Sequence, residues 1–244
     1  MQEFSELLSD NQRGSVAIVS SFLRLLESNP ENIEEKIKLM KEAFPDMILV
    51  RSICEIIKSE YEKRGFSLTA IKKRFLDSQN MLIAKAVFIL QKYDSFATIS
   101  SSGDIYNTLK RIAQQKKLKV VLSIGEPAEE GVLQAKRLAA SDIRVDLVLD
   151  AALAGLVNDA DAVILGADGI SDSCFINKIG SFPLLLAAEY YKKPAYIIAN
   201  RLKYSDDLLL SSADSQEPGK NFGNICRKNF YFEKIPLMAK WIHQ

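Results

Sequence analysis

The feature that most constrains this chain is a change of hydrophobic rhythm near residue 94. Up to about Tyr93 the apolar residues recur at three- and four-residue spacing, as in Val16, Val19, Phe22, Leu23 and Leu26, and no run has the form of a strand. Asn29-Pro30, Phe44-Pro45 and Arg64-Gly65 interrupt this pattern, which resumes from Leu68 to Leu90. After Ser95 five short apolar runs, 96–99, 119–122, 145–149, 162–165 and 195–199, alternate with helical stretches. Strands separated by helices build a parallel, doubly wound sheet. The expected fold class is therefore α/β, with a helical N-terminal domain over 1–94 and a parallel-sheet domain over 95–244. No Gly/Ser- or Pro-rich linker marks the boundary, so the helical part is expected to pack directly on the sheet.

Sheets of this kind bind ligands beyond the carboxyl ends of their strands. The run from Gly166 to Gly180 follows the apolar stretch 162–165 and so delivers Asp168 to that mouth, with Asn177, Lys178 and Gly180 close behind. Spacing alone leaves two readings for Asp168, a turn cap or a ligand-facing carboxylate. The first strand runs into Ser100-Ser101-Ser102-Gly103 and then a helix carrying Ile105, Leu109 and Ile112. Small residues there either cap the helix or turn backbone amides toward an anion. The second strand ends at Ile124-Gly125-Glu126-Pro127, where Pro127 can open the next helix and Glu126 faces the mouth or water. Gln12-Arg13-Gly14-Ser15 puts an arginine and a glycine at a helix start, suited to gripping a phosphate or, more simply, to solvent.

Composition removes several alternatives. The 32 Lys and Arg nearly cancel the 31 Asp and Glu, so no broad field draws nucleic acid or an anionic membrane. Cys54, Cys174 and Cys226 lie far apart without a CxxC pair, against a disulfide framework or a zinc site; no metal or cofactor is expected. Cys174 is a thiol nucleophile or a packing residue. The one histidine, His243, is the penultimate residue, which leaves histidine-based catalysis without a member. The N-terminus is polar where a signal peptide needs an apolar core, and no stretch reaches transmembrane length, so the expected compartment is the cytoplasm.

Several motifs together resemble a known family, the group that joins the alpha, beta and delta subunits of translation initiation factor 2B with methylthioribose-1-phosphate isomerase and archaeal ribose-1,5-bisphosphate isomerase. They are Arg13-Gly14-Ser15, Pro45-Asp46-Met47, Thr98 to Gly103, Gly166-Ala167-Asp168 with Asn177-Lys178-Ile179-Gly180, Lys203-Tyr204, and the closing stretch Asn229 to Pro236. The resemblance implies a helical domain followed by a Rossmann-like domain, a homodimer formed through the latter, and a phosphorylated small molecule as ligand, with protein partners in translation. It assigns ligand binding to Arg13, Gly14, Ser15, Ser101, Ser102, Asn177 and Lys178, and the catalytic carboxylate to Asp168.

Two departures bear on function. Where the isomerases resemble Thr-His-Cys, this chain reads Thr98-Ile99-Ser100. A thiol at about 8.5 can be tuned to move protons near neutrality and a serine hydroxyl cannot. Glu126 stands where the family has an arginine, if Pro127 anchors the alignment, and a carboxylate there repels a second phosphate. The leading expectation is a non-catalytic initiation-factor-like protein that holds a sugar or nucleotide phosphate and acts through protein contacts. The alternative is an aldose-ketose isomerase acting on ribose-1,5-bisphosphate or methylthioribose-1-phosphate, with Asp168 and a different acid.

Overall fold

The computed structural model describes residues 2–10, 13–63, 65–210 and 230–244. The expectations at Gln12, Arg64, Cys226 and Asn229 lie outside the described residues. The first part is helical: α1 (Gln2–Leu8), α2 (Ser15–Ser28), α3 (Ile33–Ala43), α4 (Ile48–Tyr61) and α5 (Leu68–Leu90). On α2 the buried side chains Ile18, Val19, Phe22, Leu23 and Leu26 share one face, and they meet Ile53, Cys54 and Ile57 of α4 in a single core. Burial pushes the Cys54 thiol up to about 12, so it is an inert packing residue.

α5 belongs to two cores. Ile71 and Phe75 near its start join the helical core, whereas Leu82, Ala86 and Leu90 pack under the sheet. No linker is needed at residue 94 because the apolar face of one helix runs across both.

The sheet has six parallel strands in the order β3-β2-β1-β4-β7-β9, formed by β1 (Ser95–Thr98), β2 (Lys119–Ser123), β3 (Arg144–Val148), β4 (Ala162–Leu165), β7 (Ala195–Ile198) and β9 (Lys240–Ile242). Side chains alternate strictly between its faces. Phe96, Val120, Leu122, Ile164 and Ile198 meet α5, α6 (Gly103–Ala113) and α7 (Glu130–Ala139). Ala97, Val121, Val163, Leu165 and Ile197 meet α8 (Asp150–Leu153), the 3-10 turn Ala154–Asp159 and α9 (Ser181–Tyr190). Burial on both faces explains why these strands read as continuous apolar runs.

Three details depart from the sequence reading. The sheet has a sixth strand, β9, too short at three residues to carry a periodic signal. The run after Asp168 is not only a loop but, with the closing stretch, a second, antiparallel sheet of β5 (Gly169–Ile170), β6 (Cys174–Lys178) and β8 (Phe232–Pro236). Pro127 does not open a helix; α7 begins three residues later, at Glu130. What sets that start is Gly131, where a methyl group would lie 1.9 Å from the Ser123 carbonyl oxygen. Only a bare Cα lets α7 close onto the end of β2.

Candidate ligand site

The strand order reverses between β1 and β4, and parallel sheets open a crevice at such a point. Here β1 delivers Ile99 to Gly103 and β4 delivers Gly166 to Asp168 to a cavity of about 970 Å3, closed on the far side by the helical part through Arg13 to Val16 and Asp46. The predicted residues Arg13, Gly14, Ser15, Ser100, Ser101, Ser102, Asp168 and Asn177 line it. Lys178 does not.

Two helix starts converge on this space. Gly14 is the N-cap of α2, and a methyl group on it would come 2.9 Å from the Ser101 carbonyl oxygen. No side chain caps α2; its Ala17 and Ile18 amides donate to the Gly14 carbonyl at 2.9 and 3.2 Å, which leaves the Ser15 and Val16 amides as the uncapped donors at the helix start. The start of α6 is capped by the Ser102 hydroxyl, which accepts from the Ile105 amide at 3.4 Å. For Ser102 the capping role is therefore realised. The other two serines are tied to α7: Ser100 Oγ donates to Glu130 Oε1 at 3.2 Å, Ser101 Oγ to Gln134 Oε1 at 3.4 Å, and Gln134 Nε2 donates to the Ser102 carbonyl at 3.1 Å. Ser100 itself sits in the left-handed region at φ 66°, a conformation that non-glycine residues seldom adopt.

Asp168 is fixed through its backbone. Its amide donates to Ile176 O at 2.8 Å, and its carbonyl accepts from Ile48 N, an otherwise orphaned donor at the start of α4, at 3.0 Å. Its carboxylate is only partly exposed, at the cavity wall. Burial holds its pKa above the ordinary carboxylate value; Glu130 and Asp46 push the same way, and the Lys203 ammonium and Ser15 hydroxyl pull against them. Asn177 gives its amide to Ser181 Oγ at 2.8 Å.

The ammonium of Lys178 is buried behind the wall. Its side chain, 2% exposed, pairs with Glu130 Oε1 at 2.8 Å and lies 5.1 Å from the centre of the Tyr231 ring. Glu130, not Lys178, faces the cavity. A second buried pair joins Lys203, on the cavity wall, to Asp104, Nζ to Oδ2 at 3.6 Å. Burial raises the Asp104 pKa and Lys203 draws it back down. Arg13 is held by Asp10 and gives an Nη1 hydrogen bond to Ser21 Oγ at 3.1 Å.

Each expected cation is thus matched by an acid, and the wall carries Asp10, Glu42, Asp46, Glu130 and Asp168 against Arg13 and Lys203. Glu126 is exposed and off the wall, its amide donating to Asp150 Oδ2 at 3.1 Å. The acid on the cavity wall is therefore Glu130 rather than Glu126. Glu130 and Gln134 escaped the sequence reading, although the pair Glu130-Gly131 just past a strand end was a usable sign of a helix start pressed onto the mouth. Cys174 bonds with Ser171 across 3.3 Å and His243 packs on Trp241, both off the cavity wall. Among the described residues no helix is long and apolar enough to cross a membrane.

The chain matches the model of the initiation factor 2 subunit family over residues 7–238. A Pyrococcus horikoshii protein named translation initiation factor eIF-2B subunit 2-like is 25% identical over 88% of this chain and 82% of its own length. The ribose 1,5-bisphosphate isomerase of Archaeoglobus fulgidus is 34% identical over 48% of this chain and 38% of its own length. In structure, the Pyrococcus horikoshii translation initiation factor eIF-2B superposes with a TM-score of 0.79 at 22% identity, covering 99% of this chain and 93% of that one. The match to the Dictyostelium discoideum eIF2B alpha subunit takes in only 32% of that protein.

Proposed function

That this chain belongs to the initiation factor 2 subunit family is the premise from which we propose a non-catalytic, initiation factor 2B-like protein that binds one phosphorylated sugar or nucleotide and acts through protein contacts in the cytoplasm. One observation carries the non-catalytic part: the hydroxyl at the position of the isomerase cysteine, Ser100, is bonded to Glu130, which is itself engaged by Lys178. A serine bound in this way has no proton to exchange near neutrality. General acid–base catalysis contributes roughly two to four powers of ten, so its loss slows the family reaction by about that factor.

The ligand part rests on the converging starts of α2 and α6 beside Arg13. The aligned dipoles there and the uncapped Ser15 and Val16 amides suit one phosphate, and Asp168 then accepts from the sugar hydroxyls. The contact part rests on α9, where Phe182, Leu186 and Tyr190 lie at i, i+4 and i+8 and are 38%, 44% and 80% exposed. A stripe of this kind on a sheet-covering helix calls for a cover, and a second copy of the chain is the occupant on this reading. A solved relative from C. thermophilum is a tetrameric eIF2B beta2-delta2 complex.

The isomerase reading has one observation in its favour, the raised pKa of Asp168 at the cavity wall, a direction of shift common at sites of proton transfer. Incubation with ribose 1,5-bisphosphate and methylthioribose-1-phosphate separates the two. No ketose is expected; ketose formation that disappears in Asp168→Asn overturns the non-catalytic reading. Calorimetry with ribose 5-phosphate and adenosine monophosphate tests the ligand, and no heat at millimolar concentration removes it.

A further inference from the structure

We propose that Glu130 sets what the cavity accepts: a ligand with a single phosphate whose other end offers hydrogen-bond donors, to the exclusion of a second phosphate. The proposal rests on the ligand part of the reading above and specifies it. Glu130 is 8% exposed and stands on the cavity wall, while its partner Lys178 lies behind it, 2% exposed. A ligand approaching this end therefore meets a carboxylate where the sequence promises an ammonium.

The two oxygens of Glu130 are used unequally. Oε1 is ion-paired with Lys178 Nζ at 2.8 Å and accepts from Ser100 Oγ at 3.2 Å. Oε2, beside the bare Cα of Gly125, is buried with no hydrogen-bond partner among the described residues. A buried carboxylate oxygen left without a donor is costly, and a turn of the Glu130 side chain that brings Oε2 to a hydroxyl or amine of a bound ligand relieves that cost. A phosphate has no donor to give as a dianion and adds repulsion from Glu130, with Asp168 and Asp46 on the same wall. Lys178 cannot turn out to meet it without leaving Glu130 buried and unpaired. Of the two cations on the wall, Lys203 is paired with the buried Asp104 at 3.6 Å, so the positive end of the site is Arg13 with the starts of α2 and α6, enough for one phosphate.

The test compares ribose 5-phosphate with ribose 1,5-bisphosphate by calorimetry at one ionic strength, on the wild type and on Glu130→Gln. Glutamine keeps the shape and an acceptor for Lys178 and Ser100 while removing the charge. The wild type is expected to bind the monophosphate at least tenfold more tightly than the bisphosphate, and Glu130→Gln to narrow that ratio at least tenfold by strengthening the bisphosphate. Equal or tighter binding of the bisphosphate by the wild type overturns the proposal, and so does a ratio that the substitution leaves unchanged. Should Glu130→Gln fail to fold, as its melting curve reports, the wild-type ratio decides alone. Binding of neither ligand to the wild type withdraws the underlying ligand reading and this proposal with it, an outcome distinct from binding both alike.

Discussion

The Lys178–Glu130 pair gives the most direct test of how the site is held. Replacing Lys178 by methionine removes the ammonium 2.8 Å from Glu130 Oε1 and leaves a carboxylate, 10% exposed at its side chain, with the Ser100 hydroxyl as its remaining donor. Breaking a buried pair from one side costs about 3–5 kcal/mol, because the surviving charge keeps its desolvation penalty. For a chain of this size about 1 kcal/mol moves the melting temperature by roughly 2–4 °C, so Lys178→Met is expected to melt roughly 6–20 °C lower. Glu130→Gln leaves the Lys178 ammonium without its counter-charge and should also be destabilising, with the new amide oxygen offsetting part of the cost. In the double variant no buried charge remains, and most of the Lys178→Met loss should return. Denaturant unfolding of all four proteins at pH 7, followed by circular dichroism, measures the coupling, expected at roughly 2–3 kcal/mol in favour of the double variant. Losses that simply add in the double variant would mean that the two charges do not depend on each other, and the reasoning about the site would fall.

Two further outcomes follow from the same geometry. Asp168→Asn should raise the melting temperature at pH 8: a carboxyl whose folded pKa is raised destabilises as pH climbs above its unfolded value, about 3.9, and the gain should shrink to near nothing at about pH 3.5. A gain equal at both pH values would show that burial of the charge is not its origin. Leu186→Glu, at the middle of the α9 stripe, should convert a dimer into a monomer in sedimentation equilibrium without lowering the melting temperature of the monomeric fold; a wild type that sediments as a monomer removes the stripe's assigned role.

Much of the fold could be read from the residues because burial writes itself as periodicity. Phe96 and Ala97, adjacent on β1, enter different cores, and the same alternation repeats on β2, β4 and β7. The helix expected over 68–90 is α5, with those bounds. β9 stayed hidden because its three residues pair with β7 across a long stretch of chain, and no local pattern encodes such a partner. The site was legible in its lining and not in its charge. β6 is buried on both faces, so alternation could not say which way Lys178 points. Its partner stands on α7, whose start is fixed by the contact of Gly131 with Ser123 rather than by the proline that marks it in sequence.

The placement of α5 has a mechanical consequence. One rigid cylinder of 23 residues is gripped at one end by the helical core and at the other by the underside of the sheet. The two walls of the ligand mouth are thus bolted to the same beam, and they cannot swing apart about residue 94 as two lobes on a flexible strap would. Widening the mouth for a guest has to come from small slides of α2 and the serine loop along that beam, and heat should release both parts of the molecule in a single step, since losing either end strips the beam of half its grip.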